Sequence, residues 1–174
     1  MCAVFIIIAT VSISSCALLP GRVSGRTLIS EKYGFTLEIP EGDFEAKYTK
    51  DIPLIFINPD TGATITVTVS DDKNGGVKST DAALHYIAKG LFFYVKEKEY
   101  LESKKASLGD LDAWYLKLTG KYKGKPYIFS TYVVRHNKKI YDVTLFSSPG
   151  DFEGSCVLFM KIVNSFKFRG EGDK

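Results

Sequence analysis

Residues 111–147 read LDAWYLKLTGKYKGKPYIFSTYVVRHNKKIYDVTLFS. Three strand-like runs lie here: Leu111–Lys121, Pro126–His136 and Lys139–Ser147. Tyr122-Lys123-Gly124-Lys125 and Asn137-Lys138 separate them, and both connections are short enough for hairpins. A fourth run, Tyr100–Leu108, enters through Gly109-Asp110. The pattern predicts an antiparallel meander. The run Pro126–His136 carries apolar groups on both faces, Ile128, Tyr132 and Val134 on one and Phe129 and Val133 on the other. Such a strand needs cover on both sides of its sheet.

The flanking sequence supplies that cover. Tyr33 to Ile39 alternates, with Phe35, Leu37 and Ile39 on one face, and Pro40-Glu41-Gly42-Asp43 then turns the chain. Phe44–Tyr48 reads as a short strand, and Ile52–Asn58 is apolar on both faces. Asn58-Pro59-Asp60-Thr61-Gly62 predicts a tight turn into Ala63–Ser70, where Ala63, Ile65, Val67 and Val69 oppose Thr64, Thr66 and Thr68. The two runs form a hairpin whose second strand has one wet face. Asp71–Lys78 is a polar loop, after which Ser79, Thr80 or Asp81 can cap a helix. Leu84, Ile87, Ala88, Leu91 and Val95 recur at helical spacing and place this helix at 81–96, with Gly90 a weak point. Ser148-Pro149 opens a second helix with the stripe Phe152, Cys156, Phe159, Val163 and Phe166, and Lys161 opposite.

The first residues are an uncharged apolar run, Ala3–Val11, followed by small residues, which is the pattern of an export signal. Ile13-Ser14-Ser15-Cys16 resembles the bacterial lipobox, which implies cleavage before Cys16 and acylation of its sulfur and amino group. Each buried methylene adds about 0.8 kcal/mol, so several chains on Cys16 hold a membrane stably. The other reading is an uncleaved span. Ala3–Leu19 only reaches the lower limit of about 17–25 residues, and its serines and threonine weigh against it. The expected organisation is a signal peptide at 1–15, a lipid-anchored tether at 16–30, a domain at 31–168 and a polar tail at 169–174. The expected place is the bacterial cell envelope, outside the cytoplasm. Cys2 leaves with the signal and Cys16 is lipidated, so Cys156 stands alone, a buried small hydrophobe in an apolar setting.

A net charge of +3 is too small to argue for nucleic acid. No catalytic, cofactor-binding or metal motif is present. His85 and His136 lack any H-x-x-x-H or C-x-x-C partner spacing and read as surface residues. Asp71-Asp72-Lys73-Asn74-Gly75 lacks the alternating oxygens of a calcium loop and reads as solvated. The Gly120–Lys125 segment sits in a hairpin turn without a following helix, so it is no phosphate cradle. Asp142 shares a strand face with Ile140, Thr144 and Phe146. It reads as a hydrogen-bonded structural carboxyl, the alternative being a raised pKa that marks a site. On the first helix Tyr86 and Phe93 point away from the core with Lys89 between them, a candidate partner surface.

Tyr33-Gly34-Phe35-Thr36-Leu37-Glu38-Ile39-Pro40 resembles the opening of the PsbP-like superfamily. Leu108-Gly109-Asp110-Leu111-Asp112-Ala113, Lys139-Ile140-Tyr141-Asp142-Val143 and Ile162-Val163-Asn164-Ser165-Phe166-Lys167-Phe168 resemble later parts of it. Phe44 departs from the tryptophan many members carry. The resemblance implies an α+β fold, an antiparallel sheet of about six or seven strands sandwiched between helices. It also implies a binding or assembly module rather than a catalyst. Two functions follow as expectations: a non-catalytic module with an envelope protein as partner, or a carrier of a small apolar ligand. The carrier would hold its ligand between sheet and helix, in a pocket lined by Trp114, Tyr127 and Tyr132. A well-formed cavity favours the carrier and a filled core the module.

Overall fold

The alternation in the meander resolves into one seven-stranded antiparallel sheet. The computed structural model describes residues 22–39, 41, 45–47, 54–72 and 81–169. In chain order the strands are β1 (Arg22–Ser24), β2 (Thr27–Ser30), β3 (Phe35–Glu38), β4 (Glu45–Lys47), β5 (Leu54–Ile57), β6 (Thr64–Asp71), β7 (Lys96–Leu108), β8 (Leu111–Tyr122), β9 (Lys125–His136), β10 (Lys139–Ser147) and β11 (Lys167–Phe168). Helix α1 (Asp81–Gly90) precedes β7, and α2 (Phe152–Ser165) follows β10. The large sheet runs β4-β5-β6-β10-β9-β8-β7. The β8–β9 and β9–β10 turns place Lys123 (φ 50°) with Gly124 (φ 79°), and Asn137 (φ 47°) with Lys138 (φ 59°), in the left-handed region. Two consecutive left-handed residues give the turn whose twist matches that of paired strands.

Each central strand divides its side chains between two covers. Phe56, Ile65, Val67, Val134, Tyr141, Val143 and Leu145 face one core with Phe152, Phe159, Ile162 and Phe166 of the α2 segment. Leu116, Leu118, Phe129 and Val133 face the other, beneath Leu84, Ala88, Phe92 and Val95. The first core has a further wall, a four-stranded sheet of order β1-β2-β3-β11. Phe35 of β3 stacks on Phe166 at 4.9 Å, and the Tyr141 hydroxyl donates to the Tyr33 carbonyl at 2.8 Å.

Three expectations change. Residues 22–30 are paired strands rather than tether, because Leu28 and Ser30 bury against the α2 core in register with Leu37 and Phe35. Helix α1 stops at Gly90 instead of 96, and residues 91–94 form tight turns. A glycine followed by Leu91, Phe92, Phe93, Tyr94 and Val95 is a poor helical stretch, and unwinding turns Phe92 inward onto Phe129 at 5.3 Å. Helix α2 begins at Phe152 because Ser148 and Asp151 close a turn around Pro149, Ser148 Oγ donating to Asp151 Oδ2 at 2.6 Å. Its buried stripe adds Leu158 and Ile162 and leaves Cys156 half-buried at the margin. Burial, with nearby Glu153 second, raises the Cys156 thiol pKa, which leaves it a poor nucleophile.

Two glycines permit close approaches. A Cβ on Gly120 would lie 2.5 Å from Val95 Cγ1 and 2.9 Å from the Lys96 carbonyl, where the chain leaves α1 for β7. Gly109 has φ +61° and would set a Cβ 2.8 Å from the Phe166 carbonyl. Gly120→Ala and Gly109→Ala should each destabilise the fold by about 1–3 kcal/mol. Gly150→Ala meets nothing within 4 Å and should change stability by no more than about 0.5 kcal/mol. Urea denaturation midpoints check all three.

Candidate binding cleft

A ten-residue helix is about 15 Å long, whereas seven strands at the usual spacing make a sheet about 29 Å wide. Helix α1 packs on β8 and β9, and among the described residues no helix lies over the same face of β10, β6 and β5. The turn after α1 overhangs this gap. The result is a cleft of about 500 Å³, within the usual range for small-molecule sites.

Its walls come from five parts of the chain. Ile55 and Ile57 of β5 form one side, and Leu91, Phe92 and Tyr94 of the turn form the roof. Tyr122, Phe129 and Phe146 close the far end, while Thr64, Thr66, Thr68, Asp142 and Thr144 form the floor. The apolar second face of β5 and the threonine row of β6 thus line one cavity. A second hollow of about 450 Å³, beside Arg26, Lys161, Asn164 and Lys167, is polar and lies at the opposite cover.

Asp142 is the charged residue of the cleft among the described lining residues. It is 9% exposed. The Thr68 hydroxyl donates to Oδ2, and the Thr144 hydroxyl donates to Oδ1 at 3.1 Å. Thr144 Oγ1 also lies 2.7 Å from Thr131 Oγ1. Burial pushes the Asp142 carboxyl up to about 7, against a smaller lowering by the Thr144 hydroxyl. Burial, then Tyr122 and Asp142, raises the Tyr94 phenol as well. Asp142 is thus hydrogen-bonded, as read from sequence, and its pKa is raised by burial.

The residues expected to line a pocket lie elsewhere. Trp114 sits under α1, its Nε1 donating to Ser103 Oγ at 2.9 Å and its ring 5.1 Å from His85. Tyr127 backs the cleft wall, 6.0 Å from Phe146 and 6.3 Å from Tyr122. Tyr132 is on the other face of the sheet, against Phe159 at 5.9 Å. Tyr132 is one residue out of strand phase with the cleft, whereas Trp114 and Tyr127 share its face of the sheet and lie beside it. His85 is half-buried rather than superficial, with Nδ1 3.1 Å from Ser103 Oγ. His136 is likewise half-buried, its ring 5.0 Å from that of Phe168. Asp72, read as part of a solvated loop, is buried and pairs with Arg135 through Oδ2 and Nε at 2.7 Å. Tyr86 and Phe93 point outward, at 78% and 81% exposure, and Lys89 lies over the Tyr100 ring at 4.8 Å. Cys16, residues 73–80 and the tail from 170 lie outside the described residues. Among the described residues no cluster of three or more His, Cys, Asp or Glu is placed to hold a metal ion, and no helix is long and apolar enough to cross a membrane.

Compared by sequence, the chain matches no family model and no curated protein. Among solved structures it is similar to a Bacteroides thetaiotaomicron protein, with a TM-score of 0.59 and 16% identity. That match covers 87% of this chain and only 51% of the other, so the chain spans about half of that relative. It is also similar to LpqN, described as involved in cell envelope biogenesis of Mycobacterium tuberculosis, with a TM-score of 0.61, 14% identity and coverage of 78% and 83%. Cyanobacterial PsbP (CyanoP) of Synechocystis matches with a TM-score of 0.59, 12% identity and coverage of 85% and 98%. The chain has the PsbP-like α+β fold.

The raised pKa has a stability consequence. Between the ordinary value of 3.8 and about 7 the unfolded chain has released the Asp142 proton while the folded chain keeps it. Stability is therefore full below about pH 4 for this group, falls as pH rises, and levels off above about pH 7, a loss on the order of 4 kcal/mol. Asp142→Asn should remove this component and leave the protein more stable than the parent near pH 8. Denaturant titrations across that pH range check it.

Proposed function

We propose that this protein is a non-catalytic binding module of the bacterial cell envelope, anchored through lipid on Cys16, that holds a small and largely apolar molecule in the cleft above β5, β6 and β10. The observation that carries the reading is the cleft itself. It has about 500 Å³ of space, aromatic and aliphatic walls and a single buried carboxyl on its floor. Pockets with apolar walls and few placed polar groups bind small molecules. Around Asp142 the hydrogen-bond partners are the Thr68 and Thr144 hydroxyls, and the described lining residues include no histidine or cysteine. The lipobox-like Ile13-Ser14-Ser15-Cys16 supports the envelope placement, and the fold is shared with LpqN, described as an envelope-biogenesis protein.

A second reading keeps Tyr86, Lys89 and Phe93 as a surface for an envelope protein partner. It is favoured by the two aromatic rings of Tyr86 and Phe93, which are largely exposed. Both readings agree with a membrane-tethered module, whose anchor raises local concentration near its partner.

The neutral dye Nile red should bind the purified domain saturably with one site. Thr66→Phe, which fills the floor, should weaken this at least tenfold, a loss of about 1.4 kcal/mol, while Tyr86→Ser with Phe93→Ser leaves it unchanged. Dye binding abolished by the surface pair and retained by Thr66→Phe would move the function to the patch. For the anchor, intact-mass measurement of protein from its native host should show cleavage before Cys16 with added acyl chains, and Cys16→Ala should release the protein from the membrane fraction. An unmodified leader in that mass spectrum overturns the lipid assignment.

A further inference from the structure

Resting on the reading of the cleft as a small-molecule site, we infer that its ligand is a cation: an ammonium or quaternary ammonium group on an apolar body, paired with Asp142 and packed among aromatic rings. Three observations carry this. The first is charge. Among the described lining residues Asp142 is charged and none is Lys, Arg or His; Arg135, on the same face of β9 opposite Ile140, is paired with Asp72. The titratable groups sharing the space are the phenols of Tyr94 on the turn after α1 and Tyr122 on β8, while β5, β6 and β9 contribute Ile55, Ile57, threonines and Phe129. Outside the rim, Lys98 is turned to the Phe92 carbonyl at 3.0 Å and Lys121 to Glu97 at 2.7 Å. An unpaired buried carboxylate is costly, and a cationic ligand would supply the counter-charge that the described lining residues do not.

The second is coordination. Each carboxyl oxygen receives one threonine hydroxyl, Thr68 on Oδ2 and Thr144 on Oδ1. An ionised carboxylate has about four acceptor positions, so both oxygens keep capacity toward the cleft. The hydroxyls orient the group and leave its charge unmatched. The third is the wall. Phe92, Tyr94, Tyr122, Phe129 and Phe146 surround the same space, and aromatic faces attract cations most strongly where water is excluded. A ligand carboxylate would meet like charge here, and a purely neutral one would leave Asp142 to take up a proton.

Binding is then coupled to proton release. Burial holds the empty-cleft carboxyl near 7, and a bound cation favours its ionised form. Affinity for a permanent cation should fall about tenfold per pH unit below about pH 7 and level off above it. Calorimetric titration of the folded domain with benzyltrimethylammonium, benzyl alcohol and phenylacetate, from about pH 5 to about pH 9, tests this. The cation should bind tightest at high pH, compete with Nile red, and lose its advantage over benzyl alcohol in Asp142→Asn. The parent pH profile is an independent readout should that variant fold poorly. If Nile red binds at the cleft but the cation binds no tighter than the alcohol at any pH, the cation inference fails and the cleft reading stands. If neither dye nor cation binds, both fall. Tighter binding of phenylacetate reverses the charge assignment and overturns the inference.

Discussion

The two-sided burial of the large sheet is the constraint on which the rest depends. A strand alternates its side chains with period two, so β9 and β10 deliver a separate set of apolar groups to each face. One face receives a long helix and a second small sheet and is filled. The other receives a ten-residue helix and cannot be filled by it. The cleft is the geometric remainder of that mismatch, and the identity of the strand residues beneath it decides its chemistry.

Those residues reconcile an open cavity with a stable sheet. Threonines on β6 are at home in a strand and can satisfy their hydroxyls locally, as Thr66 does toward the Thr144 carbonyl at 3.5 Å and Thr64 toward the Gly62 carbonyl at 3.1 Å. Ile55 and Ile57 give β5 a second apolar face that the α2 core does not use. Burial of Asp142 on this face works against its charged form.

The opposite cover works differently. Tyr141 ties β10 to the Tyr33 carbonyl, and Phe35, Phe166 and Phe168 interlock the small sheet with the segment after α2. This half is a filled core built from apolar packing and ring contacts. Among the described residues the molecule is asymmetric, with a packed side and a less completely covered side that carries the cleft and the exposed Tyr86 and Phe93.

The sequence by itself determined the strands of the meander, the hairpin turns and the α+β class, because alternation and turn chemistry are local properties. It also marked Asp142 as unusual and placed Tyr86 and Phe93 outward. It could not set where α1 ends, since Phe92 is turned inward by Phe129, a residue far along the chain. Nor could it find the cleft walls. Trp114, Tyr127 and Tyr132 are as aromatic as Tyr94, Tyr122 and Phe146, and only strand register and the unwound turn decide which rings meet across the gap. The burial of Asp72, and the pairing of residues 22–30 as strands, likewise come from partners distant in sequence. Local pattern fixes which face a side chain takes; only tertiary structure decides what, if anything, covers that face.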